Sequence, residues 1–337
     1  MAEECLYLNV WAPPAGERPK PVIVFIHGGG FTIGTASAGI SDGARLAAAA
    51  DAVVVTINYR LGALGWLFHP ELGGGNWGLR DQIAALEWVR ENIARFGGDP
   101  GAVTLMGQSA GALSIVDLLA IDAADGLFAR AILMSPPMHD ALHEPELGIR
   151  WTEAMATALG GSVGALRDAD PSALVQAHDQ LLADPHWRGT RGGAMPIREA
   201  GFLDDVDPSA RLGVDVMLGT TADEATFFTR ARGAEADDEQ IRAMTESMIV
   251  RPAHEWADAR EAAGGRVFRY RVEHRSPQPR FGAIHTIDVP LVFGTFHDGE
   301  GRAMAGEATA VSKAMQAAVR AFAHGEQLGW DGTKVFA

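Results

Sequence analysis

The stretch Val103-Thr104-Leu105-Met106-Gly107-Gln108-Ser109-Ala110-Gly111 decides how the rest of the chain is read. Val103 to Met106 is an apolar run of strand length, suited to burial on both faces of a sheet. Leu113 to Ala120 then reads as a helix leaving that strand. The junction carries Gly107-Gln108-Ser109-Ala110-Gly111, a G-x-S-x-G string. A serine in a sharp strand-to-helix turn has its hydroxyl exposed at the end of the sheet. It also sits near a helix amino terminus that favours developing negative charge. Glycines two residues to either side leave room for the turn. Ser109 is therefore the candidate nucleophile.

Working outward, strand and helix alternate, which argues for an α/β fold with a mostly parallel central sheet covered by helices. Strand signals stand at Val22 to Ile26, Ala52 to Ile57, Ala131 to Met134, Val214 to Leu218 and Arg266 to Val272. Ala44 to Ala50 reads as a short helix. Leu79, Ile83, Leu86, Val89 and Ile93 mark one face of a longer one, closed by Gly97-Gly98 and Pro100. Residues 139 to 212 depart from the alternation: they are punctuated by prolines, with helical pieces near 147–159 and 172–183. They read as a helical insertion above the sheet of one domain spanning residues 1–337. Residues 231 to 240 read as an acidic surface loop. A last helix runs from about Gly306 to His324, with Val311, Met315, Val319 and Phe322 on its apolar face.

A second glycine-rich string, His27-Gly28-Gly29-Gly30-Phe31, also follows a strand. Consecutive glycines let backbone N–H groups approach a ligand unobstructed. A phosphate-cradling loop is excluded: no Gly-Lys-Ser/Thr follows, and Ile33 stands where a dinucleotide fingerprint started at Gly28 needs its third glycine. The alternative is an oxyanion hole shared with the residue after the nucleophile. A serine nucleophile needs a base and an acid that orients it, in the chain order Ser, Asp/Glu, His. Asp223 and Glu224 follow the Val214–Leu218 strand, where open α/β sheets place their sites. The base candidates are His254, His274, His285 and His297. His324, on the final helix, reads as surface. His285 lies in a glycine-containing loop beside the apolar run Val289 to Phe293.

Lys plus Arg is 28 and Asp plus Glu is 43, a net charge of −15. That balance, without a basic cluster, argues against nucleic acid and anionic lipid surfaces as partners. No uncharged apolar run has membrane-span length. Met1-Ala2-Glu3-Glu4 has no signal-peptide character, which points to the cytoplasm. Cys5 is the only cysteine, so no internal disulfide and no cysteine zinc site form. His139, His143 and Glu144 lie close together, and read as solvated residues of a connection rather than metal ligands. No metal or organic cofactor is expected.

With these residues in view the chain resembles the type B carboxylesterase family, relatives of cholinesterases and bacterial para-nitrobenzyl esterases. The matching stretches are Glu4 to Trp11, His27 to Phe31, Asn58 to Gly62, Gly75 to Gln82, Phe96 to Pro100 and Gly107 to Ala112. The match is dense over residues 3 to 136, and returns at Gly219 to Phe228 and Phe281 to Phe293. The resemblance implies the α/β-hydrolase fold. It implies Glu224 as the acid, from Asp223-Glu224-Ala225-Thr226-Phe227-Phe228, and His285 as the base, from the string Gly282 to Phe293. It further implies Gly29, Gly30 and Ala110 as oxyanion donors, with Phe31 and Gln108 as substrate-binding candidates. Three departures stand out. Gln108 occupies a position where relatives often carry glutamate. The first edge strands and part of the gorge wall look absent, and so does the usual disulfide partner of Cys5. The segment between Glu224 and His285 looks shortened.

The resulting expectation is a serine carboxylesterase acting, as a monomer or homodimer, on dissolved short-chain esters through an acyl-enzyme. Two alternatives stand beside it. One is a hormone-sensitive-lipase-like esterase with an aspartate acid. The other is a non-catalytic binding protein on the same fold, as in neuroligin-like relatives.

Overall fold

The computed structural model describes residues 4–337 apart from Ala15, Glu17, residues 139–141, residues 188–194 and Asp298. Among the described residues one sheet has eight strands: β1 (Leu8–Trp11), β2 (Lys20–Ile26), β3 (Val53–Ile57), β4 (Gly98–Gln108), β5 (Arg130–Met134), β6 (Asp215–Thr221), β7 (Val267–Val272) and β8 (Thr333–Phe336). Their order across the sheet is β1-β3-β2-β4-β5-β6-β7-β8. All pairings are parallel except that of β1 with β3.

Period-two alternation in the strands feeds two cores, one on each face of the sheet. Val22, Val24 and Ile26 point into one, under helices Trp77–Asn92, Ala110–Ala120 and Arg251–Ala262. Ile23 and Phe25 point into the other, under Ala44–Ala50, Asp288–Phe293 and Thr309–Ala323. Helices Pro145–Ala158 and Pro171–Ala183, from the region read as an insertion, pack Trp151, Met155, Leu174 and Ala177 into a third cluster with Ala63 and Leu67.

Strand order reverses between β2 and β4, which pair directly, Ile26 beside Gly107. The chain steps outward from β2 to β3, then back across to β4. The connections leaving the carboxyl ends of β2 and β4 diverge there, at the position where open α/β sheets place their ligand sites. Both glycine-rich strings lie at this point.

Several polar residues brace the frame. Asp81 accepts from Nε and Nη2 of Arg60 at 2.7 and 2.6 Å and from the Arg60 backbone N–H at 3.0 Å. Asn76, in a left-handed conformation, exchanges hydrogen bonds with the backbone of Ile197 and donates to Glu199. That ties the start of helix Trp77–Asn92 to the segment returning to the sheet. The fully buried Arg260 donates to the carbonyls of Pro208, Ala210, Arg211 and Val214 and closes the crossing into β6.

Two strands went unread in the sequence, and two expectations need correction. The edge strands β1 and β8 carry no strand-like apolar pattern; their residues are half-buried or exposed apart from Phe336, so pairing with a neighbour makes them strands. The acidic stretch 231 to 240 does not remain a loop throughout. Asp237 caps a helix, Asp238–Thr245, with Gln240 completing a capping box. His324 is half-buried, its Nε2 2.9 Å from the Ala50 carbonyl. His139, of the His139/His143/Glu144 group, lies outside the described residues, while Glu144 is at an ion-pair distance of 3.4 Å from Arg198.

Candidate active site

Ser109 closes β4 with φ 54° and ψ −120°, a conformation costly for a side-chain-bearing residue. Its surroundings over-determine it. The Ser109 N–H donates to Met134 O at 2.8 Å, and its carbonyl accepts from Leu113 N–H at 2.9 Å. The two glycines of the string serve close packing: a Cβ on Gly107 would lie 2.4 Å from Gly111 O, and one on Gly111 would lie 2.1 Å from Ile26 O. Strand, turn and helix can stack this tightly only without side chains at those positions.

The glycine loop after β2 rests on the same turn. A Cβ on Gly28 would fall 2.4 Å from Gln108 Oε1, and one on Gly29 would fall 2.0 Å from Ile33 O. Thr32 and Ile33 N–H groups both donate to Gly29 O, which shapes the loop. His27 is its brace: the ring stacks on Tyr59 at 4.6 Å, Nδ1 is 2.8 Å from Gly28 O, and Tyr59 Oη donates to His27 O at 2.8 Å. Burial pushes the His27 imidazole down to about 4, so it stays neutral near pH 7. Among the described residues no protein acceptor takes the N–H groups of Gly29, Gly30 or Ala110. Free donors in this position are what an oxyanion hole requires.

Glu224 follows β6 and is fully buried. Its Oε2 lies 2.6 Å from Nδ1 of His285, itself buried. Oε1 accepts from Ser135 Oγ at 2.7 Å and from Thr221 N–H at 2.6 Å. Three hydrogen-bond partners on one buried carboxyl group fix its position. Asp223 points elsewhere: its Oδ2 accepts from Ala283 N–H at 2.9 Å and stands 3.6 Å from Arg275. Its backbone N–H donates to Ala283 O at 3.0 Å. Asp223 thus clamps the loop that carries His285, while Glu224 faces the ring. His274 bonds the Ala305 carbonyl instead, and His297 is exposed.

A model of the "Carboxylesterase family" matches residues 1–241. The chain belongs to the carboxylesterase family. It is 34% identical to a para-nitrobenzyl esterase of Bacillus subtilis, over 91% of this chain and 70% of that one. It is 36% identical to cholinesterase 1 of Branchiostoma lanceolatum, over 68% of this chain and 69% of that one. The solved structure of a PNB esterase superposes with a TM-score of 0.88 at 30% identity, covering 99% of this chain and 81% of that one. The chain is accordingly an ester-hydrolysing serine esterase with the α/β-hydrolase fold.

Within this carboxylesterase the two substrate-binding candidates lie as follows. Phe31 is 1% exposed and packs its ring 4.5 Å from Trp66 beneath the glycine loop. Gln108 is 3% exposed and bonds His285. Both side chains are buried in the structure. Sequence reading also missed Ser135. Its signal was faint, a serine directly after a buried strand beside β6, and its positive φ of 52° appears only in the fold. A groove of about 600 Å³ opens on the outer side of Thr32 to Thr35, between Cys5, Tyr7, Leu61, Leu64 and Leu182. Ser109, Glu224 and His285 do not line it. Among the described residues no helix is long and apolar enough to cross a membrane.

Proposed function

We propose that this esterase works through a Ser109–His285–Glu224 triad within one catalytic domain that carries a helical insertion over residues 139–212. Ser109 attacks the ester carbonyl while His285 Nε2 takes its proton. The Gly29, Gly30 and Ala110 N–H groups bind the oxyanion. The imidazolium returns the proton to the leaving alkoxide, and a water molecule repeats the sequence on the acyl-enzyme. Glu224 holds the ring with Nδ1–H inward and offsets its transient charge. The observation that carries the reading is the 2.6 Å contact between the buried Glu224 and His285, beside a serine held in a strained turn.

We read the substrates as dissolved esters with acyl chains of about two to six carbons, since each methylene without an apolar wall forgoes about 0.8 kcal/mol. The acidic surface, net charge −15, supports monomeric rather than interfacial substrates. The test is a series of p-nitrophenyl esters from acetyl to decanoyl, followed through the solubility limit. We expect kcat/KM to peak among the short chains with no jump at that limit. A steady rise toward decanoyl, or an interfacial jump, would overturn the substrate reading.

A further inference from the structure

Gln108 immediately precedes Ser109, and its side chain fills the space between the glycine loop and the imidazole. Its Nε2 lies 3.0 Å from Nε2 of His285. Its Oε1 is turned toward Gly28. Among the described residues no hydrogen bond joins Ser109 Oγ to the ring. On the far side of the ring, Glu224 Oε2 faces Nδ1.

One protonation pattern satisfies all of these contacts. A carboxylate only accepts, so Nδ1 carries a proton. In the neutral ring Nε2 is then a lone pair, and the half of an amide that can bond it is the NH₂ group. The glutamine presents that half. The amide and the Ser109 hydroxyl therefore compete for one lone pair.

We propose that Gln108 is a positioning residue: between turnovers it donates to His285 Nε2, holds the ring as the neutral Nδ1–H tautomer, and yields the lone pair to Ser109 when an ester enters. The inference rests on the triad reading above. In acylation the Ser109 O–H bond breaks, its proton passes to Nε2, and the Oγ–acyl bond forms with the electron pair placed on the oxyanion. Collapse expels the alkoxide, which takes the Nε2 proton, and the neutral ring returns. While Nε2 carries the proton, an amide N–H facing it is repelled, and only an amide turned to present Oε1 bonds it. Glutamine therefore biases the ring toward its proton-accepting form, whereas a carboxylate at this position would bias it toward the cation.

Other groups around the ring stay constant across variants at position 108. They are Glu224; the buried Asp288, pushed up to about 7 by burial and by Glu224; and the buried Tyr270 close to both carboxyls. Phe228 and Phe227 lie 5.2 and 5.6 Å from the ring, with Arg232 over both.

The test compares kcat/KM for p-nitrophenyl acetate against pH in the wild type, Gln108→Glu and Gln108→Met. The glutamate variant should move the acidic limb up by about one pH unit. That is roughly a tenfold loss of kcat/KM below the limb, carried by kcat with KM nearly unchanged. The methionine variant, similar in shape but without the donor, should move the limb the same way by less. Superimposable profiles with a uniform loss across pH would overturn the proposal and leave Gln108 as packing alone. If the glutamate variant does not fold, ¹⁵N-histidine spectra decide. Wild type should show His285 with Nδ1 protonated and Nε2 hydrogen-bonded, and Gln108→Met should shift Nε2 toward an unbonded lone pair. An unshifted Nε2 signal would overturn it. Peptide mapping after phosphonate treatment separates the two levels: failure to label Ser109 in the wild type sinks the triad reading, whereas labelled Ser109 with an unmoved profile sinks only the role of Gln108.

Discussion

The two sides of the site are held in place by different physics. On the side of β2 and β4, the glycine loop and Ser109 are set by shape: missing side chains allow backbone to press on backbone, as at Gly111 against Ile26 O. On the side of β6 and β7, Glu224 and His285 are set by charge and hydrogen bonds, with three donors on one carboxylate and Asp223 clamping the loop. Errors of shape should therefore cost stability first, and errors of charge should cost rate first.

The largest expected effect lies on the charged side. Glu224→Gln should lower kcat by about 10³–10⁴-fold with little change in KM and little loss of stability, because the amide can still hold the ring but not offset its cation. Asp223→Asn keeps an acceptor for Ala283 N–H and should remain within about tenfold of wild type, a loss of roughly 1.4 kcal/mol or less in barrier terms. Steady-state kinetics with a far-UV melt distinguishes the two. A reversed ranking would mean that Asp223 is the orienting acid.

Next in size, Gly111→Ala tests the shape side. The added methyl meets backbone that cannot swing away, and we expect a loss of about 3 kcal/mol in denaturant unfolding, the upper end for overpacking. An alanine tolerated there without cost would show that the strand and helix can separate, and would remove the contrast between the two sides.

How much of this was legible in the sequence divides along the same line. The strands of the buried sheet and the Ser109 turn were readable because glycines and apolar runs encode shape locally. The choice of Glu224 over Asp223 was not, because both follow the same strand and their side-chain directions depend on a loop some sixty positions on. Only the family resemblance pointed to Glu224. Ser135 and the buried partner of Gln108 were hidden for the same reason, as each contact joins residues far apart in the chain. The edge strands β1 and β8 escaped because an edge needs no apolar face of its own.

An effect of similar size, spread over a pH window, concerns His27. His27 is pushed from 6.5 to about 4 by burial, so the unfolded chain binds its proton more readily than the folded one. Its contribution is fully present above pH 6.5 and is lost as pH falls from 6.5 through 4, on the order of 3 kcal/mol in total. Unfolding free energies across that window should fall more steeply in wild type than in His27→Phe, whatever the variant's absolute stability. Parallel slopes would show that His27 is protonated in the folded state.

The smallest expected change in stability is at Gly30. Space around it is open, but its φ of 62° is left-handed, so Gly30→Ala should cost about 1 kcal/mol of stability. Its effect on rate should exceed its effect on folding if its N–H serves the oxyanion. Equal small losses in both would assign Gly30 to the frame.

The central claim is that Ser109 is the nucleophile, and the most direct measurement is covalent. Wild type and Ser109→Ala are treated with a p-nitrophenyl phosphonate, weighed intact and mapped by peptide. The account expects one adduct on wild type, located on Ser109, release of one equivalent of nitrophenol with loss of activity, and no adduct on the folded alanine variant. An adduct on another serine, or undiminished ester hydrolysis by Ser109→Ala, would contradict it.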